Sequence, residues 1–147
     1  MNANYLQAIC YLDTNVLIYL FDDRDPVKQQ QANELYLHFL MTGLGRISVQ
    51  VMSEWRNAIV KKFRHLVDSD YRREFLETLQ AWNPLPISAE MVIQADLLCD
   101  HYALSPYDAI HIQAALELHC QYFLSEDLQN GLVVRETLTI LNPFEIH

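Results

Sequence analysis

One run near the amino terminus limits what this chain can become: Tyr11-Leu12-Asp13-Thr14-Asn15-Val16-Leu17-Ile18-Tyr19-Leu20-Phe21. Apolar residues on both sides of a short polar cluster fit a buried central strand that passes directly into a helix. Asp13 then stands at the carboxyl end of that strand, the edge at which open α/β sheets bind ligands. A carboxylate buried there is costly unless it is paired, hydrogen-bonded or bound to metal. The simplest partner is a backbone N–H, with Asp13 as a helix N-cap. Whether that is its whole role depends on acids at equivalent strand ends.

The remaining elements are read from periodicity. Asp22-Asp23-Arg24-Asp25-Pro26 is a polar break, followed by a helix carrying Ala32, Leu35, Tyr36, Phe39 and Leu40 and ended by Gly43 and Gly45. Ile47-Ser48-Val49-Gln50-Val51 alternates and predicts a short strand. Ser53-Glu54 then opens a helix with Trp55, Ile59, Val60 and Phe63 on one stripe, and a further helix carries Tyr71, Phe75, Leu76 and Leu79. Asn83 to Ile87 breaks that helix and holds room for a short edge strand. Ser88 caps a helix with the stripe Met91, Ala95, Leu98 and Tyr102, and Ser105-Pro106-Tyr107-Asp108 opens one that is apolar on nearly every side. Tyr122-Phe123-Leu124 and Leu138 to Leu141 read as strands. Strands alternating with helices imply a mostly parallel sheet covered on both faces, a three-layer α/β/α sandwich.

At 147 residues, with 51 % hydrophobic, the expectation is a single domain (1–147) with a sizeable core. A net charge of -9 argues against a protein that coats nucleic acid by charge alone, though not against an enzyme whose acids carry divalent cations. Cys10, Cys99 and Cys120 lack metal-ligand spacing and form no disulfide framework, which fits free thiols in a reducing compartment. No basic leader or membrane-length apolar run appears, so the expected location is the cytoplasm, with no membrane partner. The three glycines, Gly43, Gly45 and Gly131, cannot build a phosphate-cradling loop, which argues against nucleotide cofactors.

Four acids occupy comparable places. Asp13 and Asp127 follow strands, Glu54 follows a predicted strand, and Asp108 opens the buried helix. In a doubly wound sheet, strand carboxyl ends and the helix starts after them share one edge. Capping, the helix dipole and turn preference explain each acid separately, but they account poorly for the set. Two carboxylates about 4 Å apart repel by roughly 4 kcal/mol at an effective dielectric near 20, so a converged cluster calls for protons or cations. All-oxygen ligands favour Mg²⁺ or Mn²⁺, ions suited to phosphodiester hydrolysis. His38, His65, His101, His111, His119 and His147 show no metal-site pairing, and His111 reads as a satisfied core residue. An Asp-x-Asp phosphatase is disfavoured because Asn15 holds the second position.

Leu12-Asp13-Thr14-Asn15, Ser53-Glu54, Asp108-Ala109 with Ala114-Ala115, and Ser125-Glu126-Asp127 with Asn142-Pro143 together resemble the PIN-domain ribonucleases, which include the VapC toxins of bacterial toxin–antitoxin pairs. The resemblance covers nearly the whole chain. It implies a metal-dependent endoribonuclease using Mg²⁺ or Mn²⁺, with Asp13 and Asp108 as central ligands and Glu54 and Asp127 completing the site. Asn15 and Ser125 resemble the supporting groups that orient a ligand or water. Cys120 stands where many relatives have glycine, and Leu128 where an aromatic is common. Glu126 beside Asp127 leaves open which of the two faces the metal. A nuclease without an antitoxin, or a silent PIN-fold binding module, are the alternatives; the four intact acids weigh against the second.

Six of the ten basic residues, Arg56, Lys61, Lys62, Arg64, Arg72 and Arg73, cluster on two consecutive predicted helices beside Glu54. They would track an RNA backbone into the crevice, the other reading being solvated helix faces. Tyr36, Phe39, Leu40, Trp55 and Phe63 supply more apolar surface than a small sheet obviously needs. Part of it is expected to form a homodimer interface, and part an antitoxin interface, as the resemblance also implies, the other reading being that these residues fill the core between helices and sheet.

Overall fold

A computed structural model describes residues 4–145, which leaves His147 outside the described residues. A short 3-10 turn, Asn4–Gln7, leads into β1 (Cys10–Leu12), three residues buried without exception. On one side β1 pairs in parallel with β2 (Gly45–Arg46), on the other with β3 (Tyr122–Leu124). Beyond β3 lies parallel β5 (Leu138–Leu141), and β4 (Val133–Val134) closes that edge antiparallel. The order is therefore β2-β1-β3-β5-β4. The register sets Leu12 opposite Leu124 and Leu124 opposite Leu141, so three strands end level with Asp13 and Ser125. Helices cover the sheet on both faces, as the α/β/α sandwich requires.

Each connection carries the chemistry that stops or starts it. Asp13 accepts the Thr14 N–H and begins α1 (Thr14–Ile18), which tightens into a 3-10 turn at Tyr19–Phe21. Asp25 caps α2 (Pro26–Thr42), with Pro26 in the first turn, where a missing N–H costs nothing. Gly43 ends it in the left-handed conformation, φ +72°. Gly45 then lets β2 approach closely: a Cβ there would stand 2.6 Å from the Trp82 ring. Asp68, Ser88 and Ser105 cap α4 (Ser69–Gln80), α5 (Ala89–Tyr102) and α6 (Pro106–Glu117).

One expected strand is absent. Ile47 to Val51 forms no strand: α3 runs Val49–Lys62 with Ser48 at its N-cap position, and the strand lies upstream at Gly45–Arg46. The alternation of Ile47, Val49 and Val51 gives way because Val51, Trp55 and Ile59, four apart, bury one helical face. Ser48 keeps only a single parallel bridge to Leu85, which is also all that remains of the edge strand expected after Asn83. Glu54 accordingly sits in the second turn of α3 rather than at its start.

The surplus aromatics are absorbed inside. Phe39, Trp55 and Phe63 are buried, and Tyr36 is half-buried and stacked on Trp82. Of the residues expected at an interface, Leu40 alone stays exposed, beside Leu37 and Met41 on the outer face of α2. Arg56, Lys61, Lys62, Arg64 and Arg73 are exposed and Arg72 half-buried, with Arg64 in the turn between α3 and α4. No helix among the described residues is long and apolar enough to cross a membrane.

Candidate acidic site

Asp13 is 5 % exposed and fully engaged. Its Oδ1 accepts the Thr14 N–H at 2.8 Å, and its Oδ2 accepts the Ser125 hydroxyl at 2.7 Å and the Asn15 amide at 3.3 Å. The backbone clamps the same place, with the Asp13 N–H on the Leu124 carbonyl and the Ser125 N–H on that of Leu141. Asn15 Nδ2 also reaches Ser125 Oγ at 3.0 Å and Asp127 Oδ2 at 3.1 Å, so one amide joins the loops after β1 and β3. Glu126, next door, faces elsewhere: it accepts from Tyr19 OH at 2.6 Å and pairs with Lys28 at 2.8 Å. Of the adjacent acids, Asp127 is the one tied to Asp13's neighbours.

Glu54 reaches the same place from α3. Its Oε1 accepts the Thr14 hydroxyl and His111 Nε2–H, both at 2.8 Å, and its Oε2 accepts Gln50 Nε2–H at 2.9 Å. His111, 1 % exposed on α6, uses its other nitrogen on Tyr11 OH at 2.7 Å, and that hydroxyl lies 2.7 Å from Ser48 Oγ. A carboxylate only accepts, so Nε2 carries the proton. With the ring neutral, Nδ1 accepts from Tyr11 and Ser48 donates to Tyr11, a chain with one direction from Ser48 to Glu54. His111 Nε2 also lies 3.8 Å from Asp13 Oδ1. Asp13, Glu54 and His111 each offer a ligand atom within 4.8 Å of the others.

Sequence reasoning described His111 as buried and satisfied, and it is both; what it missed is that the satisfying partner is Glu54. A signal existed, since Asp108 and His111 are three apart on a helix otherwise apolar inward, which places both on one face. Asp108 itself lies in the first turn of α6, half-buried, its N–H capped by Ser105 Oγ at 3.3 Å. Among the described residues its carboxylate has no hydrogen-bond partner, but its charge raises the pKa of both Asp13 and His111.

The electrostatics follow from burial set against these bonds. Burial raises the Asp13 pKa above the ordinary carboxylate value, against the pull of His111 and the bonds from Ser125 and Thr14. Burial also disfavours charge on Glu54, but bonds from His111, Thr14 and Gln50 outweigh it and its pKa falls. The His111 pKa is raised: burial opposes the cation, yet the Glu54 bond and the Asp13 charge hold the proton. No Lys or Arg among the described residues forms an ion pair with Asp13, Glu54, Asp108 or Asp127. Several carboxylates with no Lys or Arg beside them match what a divalent cation with oxygen ligands requires.

A short-stranded, mostly parallel sheet with an acidic cluster at its carboxyl edge defines the class. A profile of the PIN domain family matches residues 10–129, from β1 past Asp127, and the chain belongs to that family. A chain of a toxin-antitoxin complex from Klebsiella pneumoniae superposes with a TM-score of 0.66, covering 93 % of this chain and 99 % of its own, at 19 % identity. At that identity the likeness is one of fold. A search of curated protein sequences gives no match.

Proposed function

We propose that this protein is a divalent-cation-dependent endoribonuclease and the toxin of a toxin–antitoxin pair. What supports the reading is the cluster of Asp13, Glu54 and His111 in a PIN domain, with Asp127 joined to Asp13 through Asn15 and the charge of Asp108 acting on Asp13 and His111, and with no Lys or Arg paired to these acids among the described residues. These four would hold Mg²⁺ or Mn²⁺, which supplies a polarised phosphate and an acidified water for phosphodiester hydrolysis. Ser125 and Asn15 keep Asp13 in one rotamer, and Asn15 couples it to Asp127. Thr14, Gln50 and His111 do the same for Glu54. Arg56, Lys61, Lys62, Arg64, Arg72 and Arg73 line α3, α4 and their turn, where they would meet the phosphates of an RNA strand whatever its sequence. The antitoxin rests on the family and on the fold shared with a chain of a toxin–antitoxin complex. Self-association rests on Leu37, Leu40 and Met41, a short apolar stripe left on α2.

The test is incubation of a mixed RNA pool with Mn²⁺ or with chelator, followed by mapping of the cut ends. Cleavage should need the metal and vanish in Asp13→Asn and Asp108→Asn, each of which removes a charged ligand while keeping shape. Near-normal cleavage by either variant sinks the site. Growth arrest on expression in bacteria, absent with Asp13→Asn, supports the toxin; harmless expression of an active enzyme points to a nuclease without antitoxin.

A further inference from the structure

Glu54 lines more than the acid cluster. It also forms one wall of a cleft of about 540 Å³ whose other walls include Val49, Gln50, Asn57, Ile87 and Tyr107. A pocket of that size falls in the range of small-molecule sites, and this one opens directly beside the acids. Its chemistry is mixed: Val49 and Ile87 are apolar, while Asn57 is exposed with its amide unpartnered among the described residues.

Tyr107 is the unusual member. Every other tyrosine of the chain lies against an aromatic ring: Tyr5 on Tyr122, Tyr11 on Phe123, Tyr19 on Phe144, Tyr36 on Trp82, Tyr71 on Phe21 and Tyr102 on His101. Tyr107 has no such neighbour among the described residues and is 69 % exposed. It is nevertheless held in place. It lies in the first turn of α6 directly before Asp108, and its carbonyl accepts Gln50 Nε2–H at 3.3 Å. The same Gln50 nitrogen holds Glu54, which ties the cleft wall to the acid site. An unstacked ring on an anchored stretch of backbone beside an unused amide, next to the acid cluster, has the composition of a site for an unpaired base. Aromatic faces stack bases, and amide side chains bond to base edges.

We propose that this cleft receives the nucleobase of a nucleotide flanking the scissile phosphate, stacked on Tyr107 with Asn57 at its polar edge. The inference rests on the nuclease reading above and adds to it a defined pocket for one base of the substrate. The test is steady-state cleavage of a short single-stranded RNA of mapped cut site, intact and with an abasic nucleotide on either side of the cut. Tyr107→Ala should raise KM for intact RNA roughly tenfold, the loss expected for one stacked base, with kcat little changed. Tyr107→Phe, which keeps the ring, should restore KM. With the correct abasic RNA, wild type and Tyr107→Ala should share one KM. An equal Tyr107→Ala penalty on intact and abasic RNA overturns the pocket, as does a loss confined to kcat, which would make Tyr107 a support for Asp108. If the wild type cuts no RNA, the nuclease reading has failed separately. The pocket is then decided by fluorescence of single-stranded RNA containing 2-aminopurine: quenching that disappears in Tyr107→Ala supports it, and unchanged quenching overturns it.

Discussion

The inner and outer halves of the acid site are built differently. Asp13 and Glu54 are gripped by Thr14, Ser125, Asn15, Gln50 and His111, every one of them a hydrogen-bond donor. Asp127 is exposed and accepts one side-chain bond, from Asn15; Asp108 accepts none among the described residues. The inner acids are therefore part of the fold's own hydrogen bonding, and the outer ones are attached to its surface. A buried network is strong when complete and costly when one member is lost, whereas a rim carboxylate can be removed with little effect on folding.

The largest expected effect breaks that contrast at its most buried point. His111→Ala takes one buried hydrogen-bond partner each from Glu54 and Tyr11 and opens a cavity, which should cost about 2–4 kcal/mol in urea denaturation. Asp127→Ala should shift stability by no more than about 0.5 kcal/mol. Similar losses in the two variants would show that the halves are not distinct.

A smaller effect should appear as pH dependence of the protein in chelator. The folded-state pKa values of His111 and Asp13 are both raised. Each contributes stability that is complete below its unfolded value and is lost as pH rises through its folded value. Glu54, with a lowered pKa, contributes stability above its unfolded value and loses it only in acid. As pH rises above the ordinary histidine value of 6.5 the His111 contribution is lost, so stability should fall there. His111→Gln should flatten the slope. A flat wild-type profile would contradict the coupling of His111 to the inner acids.

The smallest effect separates two adjacent residues. Glu126→Gln breaks a partly exposed pair with Lys28, worth at most about 1 kcal/mol, and should leave cleavage near normal. Asp127→Asn, which keeps its shape, should reduce cleavage sharply. Equal losses would place Glu126 in the site with Asp127.

Much of this arrangement was legible in the residues themselves. Asp13 at a strand end, the caps at Ser88 and Ser105, and the strands Tyr122–Leu124 and Leu138–Leu141 all stand where local signals put them. Those signals act over a few residues: a capping side chain, a proline in the first turn, an apolar run between turns. The two-residue strands β2 and β4 carried no such signal, because two residues display no period. The alternation at Ile47 to Val51 misled for the same reason, being short enough to fit a strand or one face of a helix.

What the sequence by itself determined, then, is that Asp13 and the Ser125–Asp127 loop follow strands of a parallel sheet, since local chemistry and the rule of connection in α/β folds suffice for that. Only the tertiary structure decided how they are held. Glu54 meets His111 across 57 positions, and Glu126 is turned aside by Lys28 across 98. Tyr107 shares a cleft with Asn57 on another helix. Side-chain partnership depends on distance and direction in space, and helix packing sets both after every local preference has been satisfied.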